Sequence, residues 1–157
     1  MVRIEMDNGA IIDIELYPEK APKTVANFEK LVKEGFYDGL TFHRIIRGFM
    51  IQGGDPEGTG MGGSKETIPG EFSSNGFPQN DLRHTKGVIS MARTQIPDSA
   101  SSQFFIMHED APYLDGQYAA FGKVINGIDA VDEIACTPTG RMDRPVVPVV
   151  IKKMTLI

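Results

Sequence analysis

The sequence contains little of what secreted and membrane-spanning proteins carry. Cys136 is the only cysteine, so no disulfide can form within the chain and an oxidising compartment is not implied. No apolar run approaches the roughly 18 residues of a membrane span, and the first residues lack the basic and apolar segments of a secretory signal. We therefore expect a cytoplasmic protein that does not associate with membranes.

The chain is also poor in positive charge. It has 16 Lys and Arg against 21 Asp and Glu, which gives a formal net charge of -5 and a sequence pI near 5.2. Proteins that follow nucleic-acid phosphates generally carry a basic stripe, so we expect no nucleic acid among the partners. A neutral or basic peptide is the favoured kind of partner.

Groups that hold metals, cofactors or covalent intermediates are sparse. His43, His84 and His108 lack the close spacing of a metal-ligand set. The glycines of residues 58–63 match a dinucleotide fingerprint, but Pro69 follows where a helix would have to run. No serine lies in the G-x-S-x-G pattern of a nucleophile elbow. The sequence therefore predicts neither a metal nor a cofactor.

What the sequence has in number is short apolar runs separated by turns. The 17 Gly and 10 Pro favour turns over long helices. Apolar and polar residues alternate in 2–6 and 10–17, and Asp7-Asn8-Gly9 between them predicts a β-hairpin with Asp13 and Glu15 on its solvent face. Further strands are predicted at 41–46, 49–52, 87–92, 103–107, 119–124 and 146–157.

Two segments have helical periodicity. Pro22 suits a first helical turn, and apolar residues recur on one face until Gly35. Residues 128–135 repeat the pattern with a mostly acidic outer face. Residues 53–78 lack periodicity and are expected to form a functional or surface-wrapped loop. About eight short strands and two helices favour a closed barrel or a sandwich, in a single domain spanning 1–157.

Two blocks of sequence carry a recognisable signature. The first is FHRIIRGFMIQGGD at 42–55, and the second begins with GVISMAR at 87–93 and continues through SSQFFI at 101–106 to LDG at 114–116. Together they closely resemble the signature of the cyclophilins, the peptidyl-prolyl cis/trans isomerases. The resemblance implies a mainly β fold, a closed eight-stranded antiparallel β-barrel capped by two α-helices.

The resemblance also implies a site for an Xaa-Pro bond, with Arg44 as the catalytic residue. The side chains that would form the proline pocket are apolar, those at its rim are tyrosines, and those that would hold the flanking peptide are mostly polar. The expected substrate-binding residues are Phe49, Met50, Gln52, Ala92, Arg93, Gln103, Phe105, Tyr113, Leu114 and Tyr118. The implied partners are proline-containing peptides and unfolded or folding proteins.

The expected chemistry is rotation about a bond. A peptidyl-prolyl bond turns over a barrier of about 18 to 20 kcal/mol because amide resonance must be broken. At the twisted point the proline nitrogen regains a lone pair, so a donor aimed at it binds the transition state selectively. Arginine suits this role because it stays charged and holds its N–H groups in a rigid plane. No bond is made, so no general base, nucleophile, metal or cofactor is required.

Three positions depart from the family pattern. Arg47 stands where the family commonly has proline, and Tyr118 stands where many animal members have histidine. Tyr113 stands where many animal members have a tryptophan whose indole N–H contacts cyclosporin. Any binding of cyclosporin is therefore expected to have reduced affinity.

Two other functions fit parts of the sequence. A non-catalytic chaperone module could grip proline-containing segments without turnover, but a pure binder needs no contact such as Arg44 that is specific to the twisted state. A carrier barrel for small molecules is disfavoured because the expected helices plug both mouths of the barrel.

Overall fold

The computed structural model describes residues 1–157. Eight strands and two α-helices follow one another along the chain, and the mainly β class is confirmed. The strands are β1 (Val2–Met6), β2 (Ile11–Leu16), β3 (Arg44–Ile46), β4 (Met50–Gly53), β5 (Val88–Met91), β6 (Phe104–Met107), β7 (Ala120–Asn126) and β8 (Ile151–Leu156). The helices are α1 (Pro22–Lys33) and α2 (Ile128–Ala135), and short 3-10 segments lie at Ser73–Asn75, Pro112–Leu114 and Arg141–Asp143. No helix is long and apolar enough to cross a membrane.

The strands form one antiparallel sheet in the order β3-β4-β6-β5-β7-β2-β1-β8. This sheet is an open half-barrel, so the expected closed barrel is wrong. Its edge strands β3 and β8 do not form a ladder with each other. The segment before β3 instead meets the start of β8 and the chain before it, through an isolated bridge between Thr41 and Val150 and hydrogen bonds from Phe42 N to Val149 O at 3.0 Å and from Ile151 N to Leu40 O at 2.8 Å. Since β3 itself has no partner in β8, the sheet remains open.

Two predicted strands are shorter in the structure by three residues or more. β3 begins at Arg44 instead of residue 41, and β8 begins at Ile151 instead of residue 146. Pro145 and Pro148 lie in or beside the missing part of β8, and proline has no N–H to donate to a ladder. The apolar run before β8 is therefore irregular chain, with bends at Val146 and Val147 and an isolated bridge at Val150.

Helix α1 begins at Pro22, and its start is stabilised from another part of the chain. The residue before it, Ala21, has no side chain that can cap the first turn. Buried Glu71 supplies this function, because its Oε1 accepts hydrogen bonds from Thr24 N at 2.6 Å and from Thr24 Oγ1 at 2.8 Å. Residues 53–78 thus hold the first helix as well as running beside the site.

Asp13 was predicted on the solvent face of β2, and this is wrong, since it is 5% exposed. Its carboxylate accepts hydrogen bonds from Arg3 Nε at 2.8 Å and Asn126 Nδ2 at 3.2 Å. The bond from Arg3 holds the pKa of Asp13 below its usual value. Alternation in the sequence predicts the face of the strand on which a residue lies. Whether a side chain on that face is covered depends on its neighbours across the sheet, and here the strand register places Arg3 opposite Asp13.

The buried apolar side chains form two clusters on opposite faces of the central strands. The larger has 29 residues and includes Phe28, Tyr37 and Phe104. The smaller comprises Met50, Val88, Phe105, Met107, Ala111, Leu114 and Ala120. Phe104 and Phe105 are consecutive in β6, and their side chains point to opposite faces because strand side chains alternate. The smaller cluster contains several of the predicted pocket residues.

Candidate active site

Strand pairing brings the two signature blocks into one row across the sheet. Arg44 on β3 is the register partner of Gln52 on β4. Gln52 is also the partner of Phe105 on β6, which in turn faces Ser90 on β5. Directly opposed residues on antiparallel strands project to the same face. The guanidinium, the amide and the phenyl ring therefore share one side of the sheet.

This row borders an open cavity of about 130 Å³. Most of the predicted site residues meet here, and six of the nine lining residues are hydrophobic. The lining residues are Arg44, Phe49, Met50, Gln52, Ala92, Arg93, Phe105, Leu114 and Tyr118. The cavity combines an apolar cup with one exposed guanidinium at its edge.

The two other predicted residues lie beside the cavity. Tyr113 is 69% exposed and lies at the rim, with its ring centroid 6.1 Å from that of Phe49. Gln103 connects the site to the loop after β4, because its Nε2 donates to the carbonyls of Gly60 at 3.0 Å and Gly62 at 2.7 Å.

A chain of side-chain hydrogen bonds holds the polar edge of the cavity. Arg44 Nη1 donates to Gln52 Oε1 at 3.2 Å, and Gln52 Nε2 donates to Gln103 Oε1 at 2.9 Å. Each amide thus accepts on one side and donates on the other, an order in which neighbouring bonds strengthen one another. The chain restrains the Arg44 guanidinium while leaving most of its donors free.

A buried polar group that was not predicted as part of the site lies behind Phe105. The His84 ring stacks on Phe105 at 6.1 Å, its Nε2 is 2.9 Å from Ser90 Oγ, and its Nδ1 is 3.2 Å from Asp115 Oδ1. Burial lowers the pKa of His84, against the opposing effect of Asp115. The set resembles a hydrolytic triad in composition, but Ser90 is fully buried, so no substrate atom can reach it. It acts as a support for the pocket wall.

Arg93, predicted as a substrate-binding residue, forms a second support through its side chain. Its guanidinium carbon lies 4.8 Å from the ring centroid of Phe72 and 4.5 Å from that of Tyr118. Its Nη1 donates to Thr94 O at 2.9 Å, and its Nη2 donates to Gln117 O. Stacked between the two rings, Arg93 fixes Tyr118 as one wall of the apolar cavity.

Asp55 organises the loop that supports Gln103. It is 1% exposed, and its carboxylate accepts N–H bonds from Glu57 at 2.8 Å, Thr59 at 2.9 Å and Gly60 at 2.6 Å. Burial by itself would raise the pKa of Asp55, but the backbone donors outweigh burial and hold the pKa below its usual value. The ionised carboxylate is therefore the form that stabilises this loop.

Replacing Asp55 with asparagine is expected to lower the free energy of unfolding by about 1 to 3 kcal/mol at pH 7, since charge-assisted bonds are lost. The folded protein has the lower pKa, so the contribution of Asp55 is complete above the unfolded pKa and disappears as the pH falls through the folded pKa. Urea unfolding of wild type and variant should thus converge in strong acid. Glu57→Gln, in the same loop but exposed, is the control; an equal loss there would contradict this role.

The fold and site can be compared with known proteins. The family model described as "Cyclophilin type peptidyl-prolyl cis-trans isomerase/CLD" matches residues 1–156. The chain is 53% identical over 124 residues to peptidyl-prolyl cis-trans isomerase B of Bacillus subtilis, covering 79% of this chain and 82% of that protein. It is 45% identical over 153 residues to peptidyl-prolyl cis-trans isomerase ppi1 of Schizosaccharomyces pombe, covering 97% and 96%.

A solved structure is similar over almost the whole chain. It is a cyclophilin type peptidyl-prolyl cis-trans isomerase of Cryptosporidium parvum, crystallised in the presence of the dipeptide Ala-Pro. The two structures have a TM-score of 0.90 and 34% sequence identity, covering 99% of this chain and 98% of the other. With the matches in sequence, this likeness shows that the chain belongs to the cyclophilin family of peptidyl-prolyl cis-trans isomerases.

Proposed function

We propose that this isomerase binds the proline of an Xaa-Pro segment in the apolar cavity and stabilises the twisted imide through Arg44. The observation that carries this assignment is the guanidinium at the edge of a cup built from buried Met50, Phe105 and Leu114. The presence of Ala-Pro in the Cryptosporidium parvum structure supports a proline-containing peptide as the ligand. Substrates would be such peptides and the proline segments of folding proteins.

Two physical effects lower the rotational barrier in this proposal. A hydrogen bond from Arg44 to the pyramidal proline nitrogen contributes roughly 1.5 to 3 kcal/mol, about ten- to hundredfold in rate. The planar amide is more charge-separated than the twisted one, so it loses more solvation when it enters an apolar cup. Phe105 is 5% exposed and Met50 2% exposed, which makes the floor of the cavity a low-dielectric surface. Both effects favour the twisted state.

The segment flanking the proline would lie along the end of β5. The Ala92 N–H already donates to Gln103 O at 3.0 Å, so a peptide would meet the Ala92 carbonyl and the Arg93 backbone. Gln52, between the cavity and Gln103, offers a further polar contact. These contacts are made equally to both isomers and would contribute binding without selecting the twisted state.

Exchange NMR on a short proline peptide tests the proposal against the chaperone alternative. Catalytic amounts of protein should produce cis/trans exchange peaks, because the uncatalysed reaction takes tens of seconds. Line broadening that saturates with peptide, without such peaks, would identify a non-catalytic binding module. No change of either kind would refute both assignments.

Replacing Arg93 with alanine is expected to raise KM about three- to tenfold with little change in kcat. Its two ring contacts hold Tyr118, a wall that touches planar and twisted proline alike, so their loss weakens uniform binding. Arg93→Lys keeps the charge but loses the planar stack, and it should behave like the alanine variant. If the lysine variant is indistinguishable from wild type, charge and not stacking is the contribution of Arg93.

Tyr113 bears on inhibition by cyclosporin. The side chain is 69% exposed at the rim and has no indole N–H to offer. We propose that cyclosporin binds this protein more weakly than it binds family members with tryptophan there. Tyr113→Trp should then increase the affinity, as titration calorimetry would measure.

A further inference from the structure

A second cavity adjoins the proline cavity across Arg44 and Gln52. Its volume is about 440 Å³, and Arg44 and Gln52 line both cavities. The other walls used in the argument below are His43, Met61 and Arg144. An extended peptide advances about 3.3 to 3.6 Å per residue. A residue close to the bound proline can therefore place its side chain in this second cavity.

The lining of the second cavity has an excess of positive charge, although the whole chain carries -5. Arg144 donates to Gly58 O at 2.8 Å and to Thr59 O at 2.9 Å. Carbonyl oxygens position the guanidinium but do not neutralise it, and three of its five N–H donors remain. Arg44 adds a second positive charge, and Asp143 is the only acidic residue of the lining.

His43 lies in the wall of the cavity as a buried polar group. It is 6% exposed, and neither ring nitrogen has a hydrogen-bond partner in the protein. Burial lowers the pKa of His43, and the positive charges of Arg144 and Arg44 add to this effect against that of Asp55. A neutral imidazole has one donor and one acceptor. Both ring nitrogens are shielded from the cavity, so a neutral His43 forms part of the wall and adds no positive charge to that of the two arginines.

The mouth of the cavity is apolar and locally strained. Met61 is 87% exposed and Met142 is 71% exposed, and flexible thioether side chains adapt to varied ligands. Met142 and Asp143 both have φ of 60°, a conformation that non-glycine residues rarely adopt. Such strain persists where surrounding contacts enforce it and is concentrated at ligand sites.

We infer that the second cavity is a specificity subsite for the acidic side chain of a residue flanking the substrate proline. The carboxylate would accept hydrogen bonds from Arg144, with Arg44 as a second positive charge, while Met61 and Met142 cover its methylene groups. This inference rests on the proposed function, because the acidic residue is held in place by the proline bound next door.

A peptide series tests the subsite by comparing glutamate with glutamine. Each is placed in turn at the three positions on either side of proline, and kcat/KM is measured by exchange NMR. At one position, wild-type kcat/KM should be about three- to tenfold higher for the glutamate peptide than for the glutamine peptide. This range lies between the effect expected of an exposed ion pair and that of a charge-assisted hydrogen bond. The preference should fall at high salt. Arg144→Gln should bring the ratio close to one.

Two further variants make the test decisive. Arg141→Gln removes the same charge from the same loop outside the cavity lining, and it should keep the preference. Met142→Glu places a negative charge at the mouth from an exposed position, so it should abolish the preference even if Arg144→Gln folds poorly. If wild type is active but has a glutamate-to-glutamine ratio near one, the subsite proposal is overturned while the proposed function stands. The same conclusion follows if neither Arg144→Gln nor Met142→Glu changes the ratio. An inactive wild type would overturn the proposed function itself.

Discussion

Arg44→Ala is expected to reduce kcat/KM on a proline tetrapeptide by about ten- to hundredfold, mainly through kcat. The hydrogen bond to the proline nitrogen exists only in the twisted state, so its loss leaves the binding of the planar isomers almost unchanged. Arg44 is exposed and makes one side-chain hydrogen bond, to Gln52, so the melting temperature should stay close to that of wild type. A protease-free isomerisation assay together with thermal unfolding separates the two quantities.

Arg47 provides the matched control. It is exposed in the turn between β3 and β4 and does not line the proline cavity, so Arg47→Ala removes the same charge close by without removing the contact. We expect this variant to keep at least half of wild-type kcat/KM. Equal losses in both variants would mean that the local electrostatic field acts instead of a directed hydrogen bond. Wild-type activity in Arg44→Ala would refute the assignment of Arg44.

Arg44→Lys separates charge from geometry. Lysine keeps the positive charge but presents a single ammonium in place of a planar fork. It cannot donate to Gln52 Oε1 and to the proline nitrogen from two fixed nitrogens at once, so we expect an activity between those of alanine and wild type. Full activity in the lysine variant would show that the planar donor set is unnecessary.

Local patterns in the sequence predicted the individual elements well. Helix α2 occupies the predicted residues 128–135, because its apolar face is complete within eight residues and Gly127 precedes it. The closed barrel was wrong because closure depends on how residues 39–42 meet residues 149–151, more than 100 positions away. Periodicity determines the face of a strand, and it contains no information on whether two distant edges pair.

In the candidate site, too, the sequence predicted some residues and missed those whose role depends on distant contacts. The signature blocks identified residues that register then placed in one row, such as Arg44, Gln52 and Phe105. The supports behind them were missed, among them His84 behind Phe105 and Phe72 on the outer side of Arg93. Each support acts through a contact between segments far apart in sequence. Their residue types are ordinary, so nothing local distinguishes them from other core or surface residues.

Phe28→Ala is expected to cause the largest loss of stability, about 3 to 5 kcal/mol in the free energy of unfolding. Phe28 on α1 is fully buried, and its ring centroid lies 5.2 Å from Tyr37, 5.6 Å from Phe104 and 5.1 Å from Phe121. Removing it leaves a cavity where the helix meets the sheet. The melting temperature should fall by about 6 to 20 °C, given 2 to 4 °C per kcal/mol for a domain of this size.

The same variant tests whether the two apolar clusters support each other. Phe28 packs on Phe104 in the larger cluster, while the neighbouring Phe105 belongs to the smaller cluster and lines the proline cavity. If the smaller cluster alone keeps Phe105 in place, the Phe28→Ala variant should keep nearly wild-type kcat/KM at 10 °C, where it is still folded. Lys30→Ala, exposed on the same helix, should change stability by less than about 0.5 kcal/mol. A large loss of activity in folded Phe28→Ala would instead mean that the cavity depends on packing transmitted through the strand, from Phe104 to Phe105.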